Sequence, residues 1–230
     1  MTACAAPPAR LVAPEIASSA HVPGPQATPY PDFSTVRKPQ HGTPFLHGFI
    51  GVSFLEEVSR SGGGAPPVDG TADDLDKWPL IGGGGQWTLG GDRVGWGLEG
   101  LLSFGGRANA AAFAFGGGGG AIAVNVDLLI FDIYGGPFVT TFFGDGIRAY
   151  AGAGPLVQWS NWDQSDGLMR QSGSGFGTGF YARTGIEFPI RSRTLLGFGV
   201  RWTDSRVDLD GGLGDLDLQG LEVFLSVTEY

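Results

Sequence analysis

Three histidines, scattered acids and arginines, and two glycine runs are what this chain offers for chemistry. Nucleophile–base catalysis needs a histidine held between a hydroxyl or thiol and an orienting acid. His21 and His41 lie in a proline-rich stretch, and His47 stands at the start of the first predicted strand with no second candidate beside it, in the manner of an interface residue. The chain is therefore expected not to be an enzyme. The glycines at 82–85 and 116–120 precede no helix and carry no phosphate-loop lysine, so a nucleotide site is rejected. Asp69, Asp73, Asp74 and Asp76 cluster in one stretch, and Asp204, Asp208, Asp210, Asp215 and Asp217 in another. Oxygen-rich loops of this kind hold calcium when the ligand spacing is right. Gly211-Gly212-Leu213-Gly214-Asp215 approaches a calcium-binding nonapeptide, but its Asp comes one place early and no repeat follows. Asp208, Asp210 and Asp215 are the metal candidates that remain, against the plainer reading of a solvated loop, and no cofactor is expected.

The other charged residues are spaced along alternating segments. In residues 194–205, Leu196, Phe198, Val200 and Trp202 share one strand face, while Gly197, Gly199 and Arg201 share the other. The same period recurs from residue 44 onward. It predicts eight strands near 46–58, 80–89, 94–104, 121–134 (extended or broken at Gly135-Gly136-Pro137 before 138–143), 147–159, 176–189, 194–204 and 217–229. The links between them alternate: tight turns at 90–93, 144–146 and 191–193, and long links rich in Gly, Ser and Asp at 59–79, 105–120, 160–175 and 205–216. Short turns at one end and long loops at the other suit an up-and-down barrel in a membrane. Residues 1–43 differ in kind, with eight prolines among Ala, Ser, Thr and Gln and no periodicity, and read as a disordered tether.

One face of the predicted sheet is apolar, for example Leu98, Val157, Phe198 and Val223. Trp78, Trp159, Trp162 and Trp202 fall at the long-link end, and Trp87 and Trp96 at the short-turn end with Phe142, Phe143 and Phe188. Aromatic rings at both rims of an apolar band mark the two interfaces of a bilayer. The opposite face carries Glu99, Asp127, Arg148, Arg183, Glu187, Arg201 and Glu222, with small glycines between them. Charges so regular inside a sheet must pair, because a lone buried charge costs several kcal/mol. An eight-stranded barrel has a bore that side chains fill, so these seven residues are expected to form a packed ionic core.

Composition agrees. Only 16% of residues are charged, against about a quarter in soluble domains. A net charge of −9 argues against nucleic acid, which needs a basic stripe. No apolar run reaches the length of about 20 residues that a transmembrane helix requires.

Together these segments resemble the small eight-stranded outer-membrane β-barrel family of Gram-negative bacteria, the class that includes the transmembrane domain of outer-membrane protein A. Gln219-Gly220-Leu221-Glu222-Val223-Phe224-Leu225 is similar to the family's terminal assembly signal, and the chain ends on the aromatic Tyr230. Thr228 and Ser226 depart from the pattern, standing where family members usually keep Tyr or Phe. The resemblance implies an all-β, antiparallel, up-and-down transmembrane barrel over residues 44–230. It also implies outer-membrane lipid as surroundings and insertion by the outer-membrane assembly machinery. The enzymes of this barrel class modify lipids with a His–Ser constellation, which is not found here. Met1-Thr2-Ala3-Cys4 resembles the end of a bacterial lipoprotein signal without its apolar region, which makes Cys4 a candidate lipid anchor. Two other readings remain open: a soluble β-barrel or sandwich binding calcium or carbohydrate through its Asp-rich loops, and a narrow passive channel.

Overall fold

The computed structural model describes residues 42–61, 68–69, 77–115, 121–144, 146–165, 170–211 and 213–230. Cys4, the proline-rich arm and the acids Asp73, Asp74 and Asp76 lie outside the described residues. The described chain is all β. Its strands are β1 (Pro44–Ser61), β2 (Val68–Asp69), β3 (Lys77–Gly90), β4 (Val94–Phe115), β5 (Ala121–Phe143), β6 (Ile147–Ser165), β7 (Arg170–Arg191), β8 (Thr194–Leu209) and β9 (Gly214–Glu229).

Each of the eight long strands pairs antiparallel with its sequence neighbours, and β1 returns to pair with β9 from Leu46↔Glu229 to Ser61↔Asp215. The sheet therefore closes on itself as an up-and-down barrel, and closure removes the free strand edges that an open sheet must protect. The two-residue β2 adds a short ladder against β1 and β4. The tight turns fall where the sequence puts them. At Gly91 (φ 101°) and Gly146 (φ 104°) the backbone takes the left-handed conformation that a side chain resists.

The strands are longer than expected. β4 runs on to Phe115, β6 to Ser165 and β8 to Leu209, while β7 begins at Arg170 and β9 at Gly214. Gly, Ser and Asp in these extensions read as loop, yet in the sheet the extensions of β6, β8 and β9 pair on both sides, and those of β4 and β7 pair with β5 and β6. The links at that end shrink to 116–120, 166–169 and 210–213, and only 62–76 stays long. The suspected break at 135–137 is absent. β5 passes through it in one register, and its ladder to β6 thins only between Tyr134↔Leu156 and Phe138↔Gly152, where Pro137 and Pro155 have no N–H to give.

Leu98, Val157, Phe198 and Val223 point away from the lumen and are 43–54% exposed. Among the described residues no second sheet or helix covers them. They belong to a continuous outward apolar band that also takes in Ile50, Leu102, Ile133, Val139 and Leu225. Trp87, Trp96, Phe143 and Phe188 rim it at the tight-turn end, and Phe54, Phe104, Phe176 and Phe180 at the other. Trp78 and Trp162, expected in the second rim, turn inward and are buried. There they join Val126, Leu128, Ile130, Val207, Leu209, Leu213, Leu216 and Leu218 in an apolar cluster. That end of the barrel lies beyond the band, so its strands hide apolar side chains inside and show polar ones to water, as in a soluble sheet.

Candidate functional site

Inside the band the lumen is polar, and register assembles it. Directly opposed residues on neighbouring strands share a face, so Gln86↔Glu99, Ser103↔Asp132, Asp132↔Gln158, Arg148↔Glu187 and Arg201↔Glu222 all meet within the bore. Three layers result.

Nearest the tight turns lies Arg148. Its Nη1 is 2.8 Å from Glu187 Oε2, its Nε donates to Thr140 Oγ1 at 2.9 Å, and its guanidinium stacks 4.2 Å from the Phe45 ring. Glu187 Oε1 also accepts hydrogen bonds from Thr228 (2.7 Å) and Ser226 (3.3 Å). Thr228 and Ser226, the departures in the terminal motif, thus serve the lumen: a hydroxyl there solvates a buried carboxylate that an aromatic ring could not. In the middle layer Glu99 takes Arg183 Nε and Nη2 (3.1 and 2.8 Å), Tyr181 OH (2.9 Å) and Gln86 Nε2 (2.7 Å). Gln86 joins the layers, because its carbonyl oxygen accepts from Arg148 Nη2. The Tyr150 ring lies between the two guanidiniums, 5.1 Å from Arg148 and 4.9 Å from Arg183. In the outermost layer Arg201 pairs with Glu222, stacks 4.2 Å from Tyr134 and donates to Ser103 Oγ at 2.9 Å. Ser103 in turn donates to Asp132 Oδ2 (3.0 Å), and Gln158 Nε2 donates to Asp132 Oδ1 (2.8 Å). Above this layer sits the apolar cluster around Trp162 and Leu128.

Of the seven residues expected inside, Glu99, Arg148, Arg183, Glu187, Arg201 and Glu222 are buried in the lumen. Asp127 is not. It faces outward and is exposed, because β5 turns Val126, Leu128 and Ile130 into the apolar cluster at that height. Asp132, Gln86, Ser53 and Ser103 also line the lumen; Ser103 stands four residues from Glu99, on the same face of β4, whereas Asp132 stands five from Asp127, on the opposite face of β5. His47 is also corrected: it lies inside the lumen and not at an interface, with Nδ1 2.7 Å from Thr228 Oγ1 and 3.4 Å from Glu187 Oε1.

His47, Thr228 and Glu187 have the composition of a nucleophile–base–acid set, but their order is wrong for one. The hydroxyl stands between imidazole and carboxylate and gives its proton to the carboxylate, so the acid does not orient the base. All three side chains are sealed from solvent.

The calcium candidates do not converge. Asp208 and Asp215 are directly opposed on β8 and β9, and Asp210 lies in the turn beyond them. Arg206 holds the position between the acids, with Nη2 on Asp215 and Nε 3.6 Å from Asp217, and these carboxylates keep its guanidinium charged more firmly than usual. Among the described residues no group of three or more His, Cys, Asp or Glu is disposed to hold a metal. Asp163 and Arg170 form a second exposed pair on β6 and β7, and hydrogen bonds from Arg170 hold the Asp163 carboxyl below its ordinary range.

Neither a protein-family model nor a curated protein matches the chain. Solved structures do. The outer membrane protein OprG from Pseudomonas aeruginosa superposes with a TM-score of 0.50 at 12% identity, covering 82% of this chain and 96% of that one. The outer membrane protease OmpT from Escherichia coli gives 0.49 at 8% identity, covering 85% and 99%. Ail, the attachment invasion locus protein of Yersinia pestis, gives 0.39 at 13% identity, covering 83% and 100%. The fold is that of a small outer-membrane β-barrel.

Proposed function

We propose that this chain is an integral protein of the bacterial outer membrane, without catalytic activity, whose barrel anchors a structural or surface-interaction role. One observation carries the reading: a band of exposed apolar side chains, aromatic at both rims, surrounds a lumen packed with ion pairs. In water that band would be a large apolar surface of the kind that marks a partner or membrane; against lipid it needs no cover. The OprG-like fold supports the same placement. The strand extensions past the band carry Asp204, Arg206, Asp208 and Asp217 outward, which is a polar surface for contact outside the lipid. Outer-membrane lipid and the assembly machinery that inserts such barrels are the partners this reading implies.

Expression of the full chain decides it. The protein should fractionate with the outer membrane, need detergent for extraction and migrate faster on gels unheated than boiled. A monodisperse protein in plain buffer would overturn the reading in favour of a soluble binding module. The filled lumen also predicts no conductance steps in planar bilayers, and discrete steps would favour the narrow channel.

A further inference from the structure

The buried acids and bases among the described residues are Glu99, Asp132, Glu187 and Glu222 against Arg148, Arg183 and Arg201, with His47 as the remaining basic side chain. The imbalance is local. The inner and middle layers hold one carboxylate per guanidinium, whereas the outermost holds Asp132 and Glu222 around Arg201 alone. His47 stands six residues down β1 from Ser53, roughly 20 Å at about 3.3 Å per residue, too far to neutralise that layer. Against the same layer lies a cavity of about 20 Å³, lined by Ser53, Ser103, Asp132, Gln158, Thr203 and Glu222 among others. A space of about 10–15 Å³ suffices for one water-sized occupant. Ser53, 1% exposed and opposed to Glu222 on β9, lines this cavity with a hydroxyl that has no partner.

We propose that this cavity is a site for one small monovalent cation, of the size of sodium, held by the carboxylates of Asp132 and Glu222 and the hydroxyl of Ser53. A hard cation takes oxygen ligands, and this wall offers carboxylate, hydroxyl and amide oxygens. A bound cation would bring the layer to charge balance and supply the missing partner of Ser53. A neutral water would fill the space and leave the charge. A proton on either acid would balance the charge as well, and the comparison of the two salts below separates that case from a bound cation. Trp78, Ile130 and Leu218 of the apolar cluster line the same cavity.

The full chain is refolded into detergent at equal ionic strength in sodium chloride or in N-methyl-D-glucamine chloride, whose cation is too large for the cavity. Sodium at about ten times its dissociation constant should raise the unfolding midpoint by roughly 3 °C. Asp132→Asn, which keeps the volume, should abolish the difference. Crystals of the unmutated protein grown with thallium(I) acetate should show an anomalous peak in the cavity, and such a peak supports the site even if the variant does not fold. Equal midpoints in the two salts together with no peak would overturn the proposal. So would a sodium effect that survives Asp132→Asn, or a midpoint that follows pH identically in both salts, which would assign the cavity to water and a shared proton.

Discussion

Glu99 accepts hydrogen bonds from an arginine, a tyrosine and a glutamine in a buried site, so its charge is stable only while those donors stay. Removing one member of a buried pair costs about 3–5 kcal/mol, while replacing both by apolar residues is often neutral. Arg183→Leu should therefore lower unfolding stability by about that amount in urea titrations of the vesicle-bound barrel, and Glu99→Leu/Arg183→Leu should recover most of the loss. The exposed pair behaves differently. Because Arg170 depresses the Asp163 carboxyl, its contribution is present above the unfolded-state value and is lost as pH falls through the folded one. NMR titration of Asp163 should thus show a midpoint below about 3.9, returning to about that value in Arg170→Ala, with at most a small loss of stability near neutral pH because the pair is exposed. Residue identity was legible in the sequence where a charge followed glycines on one strand face, as at Arg201 after Gly197 and Gly199. It failed at Asp127, because outside the band water and not hydrocarbon faces outward, so the meaning of the alternation inverts along a single strand. Ser53 and Gln86 carry no charge, and nothing in their type separates a lumen network from an ordinary polar face.

At the scale of strands, glycine makes room for the network. A methyl group at Gly152 would overlap the Glu99 carboxylate, whereas at Gly100, on the outer face, its nearest neighbour would be the Trp87 ring at 4.0 Å. Gly152→Ala should accordingly cost about 1–3 kcal/mol by displacing Glu99 from its donors. Gly100→Ala should lie within about 0.5 kcal/mol of the parent protein in the same unfolding assay. Strand number and the tight turns could be read from period two and from glycine pairs. Strand ends could not, because Gly173 and Gly175, in a link rich in Gly and Ser, look like loop until Trp162 and Ser160 of β6 pair with them. Loop-length alternation, the main sequence argument for a membrane barrel, turned out weaker than expected. The aromatic rims and the outward apolar band now bear the argument.

For the whole molecule, the surrounding medium is set by one side of the sheet and the shape of the bore by the other. Val157→Arg, placed in the middle of the apolar band, should lower the stability of the inserted barrel by about 2–4 kcal/mol. Asp208→Arg, beyond the band, should leave it within about 0.5 kcal/mol. Folding into phospholipid vesicles, followed by tryptophan fluorescence, measures both. Equal costs at the two positions would mean that the band does not meet hydrocarbon.

The seam between β1 and β9 has a consequence for how such a molecule can be made. β1 has no mate on one flank until β9 arrives, so a ribbon lacking β9 exposes two unsatisfied borders at once. The wall is complete only once that seam is joined, and a chain shortened within 217–229 should clump rather than insert.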